Sequence, residues 1–150
     1  MTEILFYHLE RQTLEQTLPK LLERSLERGW KAVVQTTTRE RLDALDNLLW
    51  TYDDQSFLPH ASDGEQDLAD EPIVLTTAAH NPNAAEVRFL VENAALPPDI
   101  SAYARVVLMF DGGDDEALAS ARQTWKDLRG SGQELTYWQQ SESGRWEKKA

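Results

Sequence analysis

Along this chain the spacing of apolar positions changes period several times, and the changes mark out strands and helices in turn. Ile4, Leu5, Phe6 and Tyr7 form an unbroken apolar run, the pattern of a strand buried on both faces. Between positions 13 and 28, Leu14, Leu18, Leu21, Leu22 and Leu26 recur at helical spacing. Glu15, Glu23, Arg24, Glu27 and Arg28 take the other side, so an amphipathic helix is predicted. Pro19 falls inside this stretch and leaves two forms open: a regular helix that begins near Leu18, or a kink in the first turns. Gly29 is placed to close it. Ala32, Val33 and Val34 predict a second strand, Thr38 an N-cap, and Leu42, Leu45, Leu48 and Leu49 a second helix.

Beyond His60 the chain turns polar and acidic, and positions 61–71 read as an exposed loop. Strands are predicted at 73–77 and 88–93, divided by the turn signal Asn81-Pro82-Asn83, although 84–92 also admits a helix. Val106, Val107, Leu108 and Met109 mark a central strand over 105–110, a helix follows over 114–129, and 134–140 closes the sheet. Positions 144–150 form a polar tail in which Trp146 is the one large apolar side chain. Strand and helix alternating across short connections predict an α/β fold in a single domain: a mainly parallel sheet with helices on both faces, α/β/α in three layers.

With 150 residues, of which 41% are hydrophobic and 27% charged, the chain has the size and composition of one globular domain. It contains no cysteine, which removes disulfides, thiolate metal sites and cysteine nucleophiles together. No apolar run approaches the roughly 18 residues that cross a bilayer, and the first nine positions lack the features of a signal sequence, so a cytoplasmic protein without a membrane partner is expected. A net charge of −11 argues against direct nucleic-acid binding, because affinity for a phosphate backbone comes from Lys and Arg displacing counterions.

The junction Phe110-Asp111-Gly112-Gly113-Asp114 lies between a strand and a helix, where α/β folds hold nucleotides. It lacks both the G-x-G-x-x-G and the Gly-Lys-Ser/Thr spacings, and its aspartates would repel phosphate. A nucleotide or enzymatic site near Asp111-Gly113 therefore stands only as the alternative reading. His8, His60 and His80 show none of the close spacings of metal-binding histidines, and there is no G-x-S-x-G elbow. No catalytic residue, metal or cofactor is expected.

The late helix carries more information. With Arg122 at zero and about 100° per residue, Trp125 falls near 300°, Lys126 near 40° and Arg129 near 340°. Three cations beside an indole, in an acidic protein, suit an acidic peptide with an apolar end. Leu48-Leu49-Trp50 at the end of the second helix, the segment Ser56-Phe57-Leu58-Pro59-His60, the run Ala121-Arg122-Gln123-Thr124-Trp125-Lys126, and the ending Tyr137-Trp138-Gln139-Gln140 with Gly144-Arg145-Trp146 together resemble the chi subunit family of bacterial DNA polymerase III, an accessory of the clamp loader. The resemblance implies a three-layer α/β protein that is not an enzyme and contacts DNA only indirectly. Its implied partners are the acidic, Phe-terminated C-terminal tail of single-stranded DNA-binding protein and the psi subunit, which links chi to the clamp loader. The implied tail pocket comprises Trp50 and Phe57 as apolar walls, Phe110 at the strand end, Arg122 as carboxylate partner and Trp125, with Lys126 and Arg129 completing the basic stripe. Leu118 stands where members of the family often carry Lys; either tail affinity is lower, or Lys126 and Arg129 compensate.

Overall fold

The computed structural model describes residues 2–53, 58–65 and 67–149. Among the described residues, eight strands form one sheet in the order β3-β4-β2-β5-β6-β1-β7-β8. These are β1 (Glu3–Leu9), β2 (Ala32–Gln35), β3 (Ala61–Ser62), β4 (Ile73–Thr76), β5 (Val87–Leu90), β6 (Arg105–Asp111), β7 (Glu134–Gln140) and β8 (Trp146–Lys148). Every pairing is parallel except β7 with β8, so the α/β architecture read from the rhythm of elements is the one observed. The ambiguous stretch around position 88 is strand, in register between β2 and β6. Pairing on both sides satisfies its backbone groups in a way that a lone helical turn would not.

Helix α1 (Leu14–Glu27) opens on a capping box. The Thr13 side chain accepts from the Gln16 amide and the Gln16 side chain accepts from the Thr13 amide. This reciprocal start fixes the first turn ahead of Pro19, and the helix runs on through the proline. Gly29, with φ of 81°, takes the left-handed position that ends it. Helix α2 (Arg39–Thr51) begins where Thr38 receives the Arg41 amide. Helix α3 (Asp115–Leu128) follows β6.

The two faces of the sheet carry separate cores. Leu18 and Leu22 of α1 and Leu42, Leu45 and Leu49 of α2 pack on Leu5, Val34, Leu75, Phe89 and Val107. On the other face Ala117 and Ala121 of α3 cover Ile4, Phe6, Val106 and Phe110, together with Ile100 and Tyr103 from the connection before β6. The alternation of side chains along each strand assigns these sets to opposite faces.

Two stretches differ from their sequence reading. The segment read as an exposed loop over 61–71 begins as a strand: Ala61 and Ser62 are buried and pair with Val74 and Leu75. Asp63 then accepts from the Thr76 hydroxyl and pairs with Arg39. Polar composition concealed this edge strand because its acids are bound locally. The polar tail also contributes a strand, β8, and the Trp146 ring lies 5.0 Å from that of Tyr7.

Candidate protein-binding site

Helix α3 is held at its start by Asp114, whose carboxylate accepts from the amides of Glu116 and Ala117 at 3.0 and 3.3 Å, and by Asp115 and Glu116 in the first turn, which suit the positive end of the helix. The small residues Ala117 and Ala121 let its backbone settle close to the sheet. On the flank toward β7, Leu118 and Trp125 are half-buried while Arg122 and Arg129 stand exposed, with Lys126 beside them on the outer face. The spacing i, i+3, i+4, i+7 puts these cations on one stripe.

Trp125 forms the ledge beneath that stripe. Its ring meets Phe6 edge-on at 5.2 Å and Tyr137 of β7 at 5.9 Å, favourable arrangements for aromatic quadrupoles. Burial pushes the Tyr137 phenol above its ordinary pKa, the Arg122 charge pulls it back, and Glu10 raises it. Arg122, Lys126 and Arg129 form no ion pair or hydrogen bond through their side chains among the described residues. Three cations beside a half-buried indole and phenol, in a chain of net charge −11, make a surface that can take a carboxylate and an apolar group together.

Phe110 is the next-to-last residue of β6, 5.2 Å from the His8 ring and 6.0 Å from Tyr137. With Ala117, Ala121 and Thr124 it also lines a cleft of about 210 Å³ on the opposite flank of the helix. Trp50 is placed elsewhere. It is 53% exposed at the end of α2, with its ring 4.5 Å from His60, and His60 is held by Asp46 and the Leu58 carbonyl at 3.0 and 2.7 Å. Helix α2 packs on β3 and β4 from the face opposite α3, and β4 is three strand positions from β6, roughly 14 Å. Trp50 and Arg122 therefore do not share a pocket wall. Phe57 lies outside the described residues.

Sequence reasoning passed over Tyr137 and His8 as site residues. In the parallel register Phe6 pairs with Tyr137, which places Tyr137 on the α3 face. That pairing joins two ends of the chain, and no local pattern announces it. His8 bonds to the Tyr137 hydroxyl, and the His80 carbonyl accepts from a buried arginine. No group of three or more His, Asp or Glu residues among those described could hold a metal ion.

The turn at Asp111-Gly112-Gly113 does not cradle a phosphate. Asp111 accepts the Gly113 amide at 2.8 Å and the Gly112 amide donates to the Leu9 carbonyl at 2.8 Å, so the donors a phosphate would need are already engaged. Gly112 meets a different need, because a Cβ there would lie 1.9 Å from His8 Nε2.

A family model described as DNA polymerase III chi subunit, HolC, matches residues 1–136. A relative from Rickettsia prowazekii (strain Madrid E), named "Probable DNA polymerase III subunit chi", is 30% identical over 101 residues, which cover 67% of this chain and 59% of the relative's length. The match to the family model takes in every element from β1 to α3 and the first residues of β7. This chain belongs to the DNA polymerase III chi subunit family.

Proposed function

We propose that this chain is a non-catalytic accessory subunit of the replicative polymerase and that its α3 stripe receives the acidic, Phe-terminated C-terminal tail of single-stranded DNA-binding protein. The observation that carries the reading is Arg122 standing exposed and unpaired among the described residues beside the Trp125–Tyr137 ledge. A guanidinium grips a terminal carboxylate with two parallel hydrogen bonds, and the ledge offers rings for the terminal phenylalanine. Lys126 and Arg129 meet the acidic residues that precede it. DNA is contacted through that partner, in keeping with a net charge of −11, and psi joins the chain to the clamp loader. Leu118 supplies an apolar contact one turn before Arg122, so the cationic work falls to Arg122, Lys126 and Arg129.

The test is a fluorescence-anisotropy titration of a labelled acidic peptide ending in Phe. Arg122→Ala weakens binding about 10- to 100-fold, the worth of a charge-assisted hydrogen bond of roughly 1.5–3 kcal/mol, while its melting curve matches the parent's. Parent affinity in Arg122→Ala would show the stripe to be an ordinary solvated helix face.

A further inference from the structure

His8 stands at the C-terminal end of β1, buried to 7% exposure, and its two ring nitrogens face different groups. Nδ1 lies 2.7 Å from the Tyr137 hydroxyl. Nε2 lies 3.0 Å from Glu10 Oε1 without the geometry of a hydrogen bond. Gln139 steadies Glu10 by donating to the same oxygen at 3.1 Å. Phe110 of β6 closes one side of the imidazole at 5.2 Å. On the turn before α3, Asp111 and Asp114 commit their carboxylates to the amides of Gly113, Glu116 and Ala117, and Gly112 supplies the space in which the ring sits. From α3, Arg122 acts on the phenol.

This arrangement ties the Tyr137 proton to the charge of His8. A carboxylate beside Nε2 favours the proton on that nitrogen, which leaves Nδ1 as acceptor, and the Tyr137 hydroxyl donates inward to it. An imidazolium carries N–H on both nitrogens. Nδ1 then donates to the phenol oxygen, and the phenol proton turns outward to the side where Arg122 stands. Protonation thus adds one donor and one positive charge to the α3 site, and both favour a carboxylate.

We propose that His8 is a positioning residue for the α3 site, acting through Tyr137, and that it makes the site's affinity for a carboxylate-ended peptide rise on acidification. The proposal rests on the reading of α3 as a peptide site and assigns that site a pH response. Gly112 belongs to the same device, since any side chain there displaces the imidazole.

The experiment titrates the same labelled peptide at about pH 8 and about pH 5.5, a window in which imidazoles change charge while most peptide carboxylates stay ionised. The parent protein binds about five-fold more tightly at the lower pH, the equivalent of roughly 1 kcal/mol. Partial protonation of the peptide works in the opposite direction, and the other two histidines are common to parent and variants, so the part of the tightening that the variants lose is diagnostic. His8→Gln and Tyr137→Phe lose the tightening, and Gly112→Ala reproduces His8→Gln. If His8→Gln melts before it can be titrated, Tyr137→Phe carries the comparison alone. A parent and a Tyr137→Phe protein that share one pH profile, in a system where Arg122→Ala still weakens binding, overturn the role of His8 and leave the α3 site standing. Parent affinity in Arg122→Ala at both pH values overturns the α3 site, and this proposal with it.

Discussion

Two arginines on the α3 side of the sheet show what separates a structural cation from one available to a ligand. Arg88 is fully buried in β5, and its five N–H groups meet five acceptor contacts. Nε and Nη2 reach Gln35 Oε1 at 3.0 and 2.6 Å, Nη1 reaches the His80 carbonyl and the Tyr103 hydroxyl at 2.8 and 2.9 Å, and Nη2 reaches the Ala78 carbonyl at 2.5 Å. No carboxylate among the described residues pairs with it, and burial holds its pKa below the ordinary value. It pins the connections on either side of β5 to the sheet. Arg122 is the reverse case: exposed, with no hydrogen bond or ion pair from its side chain among the described residues and aromatic rings at its side. The residue type is the same; the count of acceptors decides what each can do.

The comparison breaks most sharply at Arg88. Arg88→Met leaves Gln35, Tyr103 and two carbonyls without their donors and lowers stability by about 3 kcal/mol or more, read from urea melts, with peptide affinity unchanged wherever the protein remains folded. Arg122→Ala gives the mirror image: full stability and the loss of binding described above. Arg122→Lys recovers only part of that affinity, because an ammonium cannot match the two-pronged geometry, and the difference between parent and Arg122→Ala narrows as salt rises. Asp114→Ala removes the N-cap of α3 and costs about 1 kcal/mol in thermal or urea melts; its effect on binding follows only from fraying of the helix start. The smallest effect is expected at Trp50. Trp50→Ala lowers peptide affinity less than Trp125→Ala, since Trp50 lies on the opposite face of the sheet; the reverse order in anisotropy titrations would move the apolar end of the peptide to α2.

Much of this was legible in the chain itself, though unevenly. The apolar runs of β1, β2, β4 and β6 and the leucine spacing of α1 and α2 read directly as elements, because burial imposes those periods wherever the sheet and helices meet. Position 88 was ambiguous between strand and helix for a physical reason: an arginine in a buried strand contradicts hydrophobic patterning, and only its acceptors from Gln35, the 78–80 connection and Tyr103 make it tolerable. Ala61 and Ser62 were hidden in the same way, inside an acidic stretch whose charges are engaged locally. The stripe of Arg122, Lys126 and Arg129 beside Trp125 followed from helical spacing alone, since residues on one helix keep their relative positions wherever the helix packs.

The sequence by itself determined most of the elements, the mainly parallel character of the sheet, the acidic balance of the chain and the cations that α3 presents, because each depends on neighbours a few residues away or on composition. Only the tertiary structure decided which groups meet across the sheet. The packing of α2 and α3 on opposite faces separates Trp50 from Arg122. The pairing of β1 with β7 brings His8 to Tyr137 across 129 positions of sequence, and the approach of the Gly112 turn fits around that imidazole. Such meetings are fixed by strand register and by the side of the sheet each crossover takes, and neither leaves a mark in the local pattern of the chain.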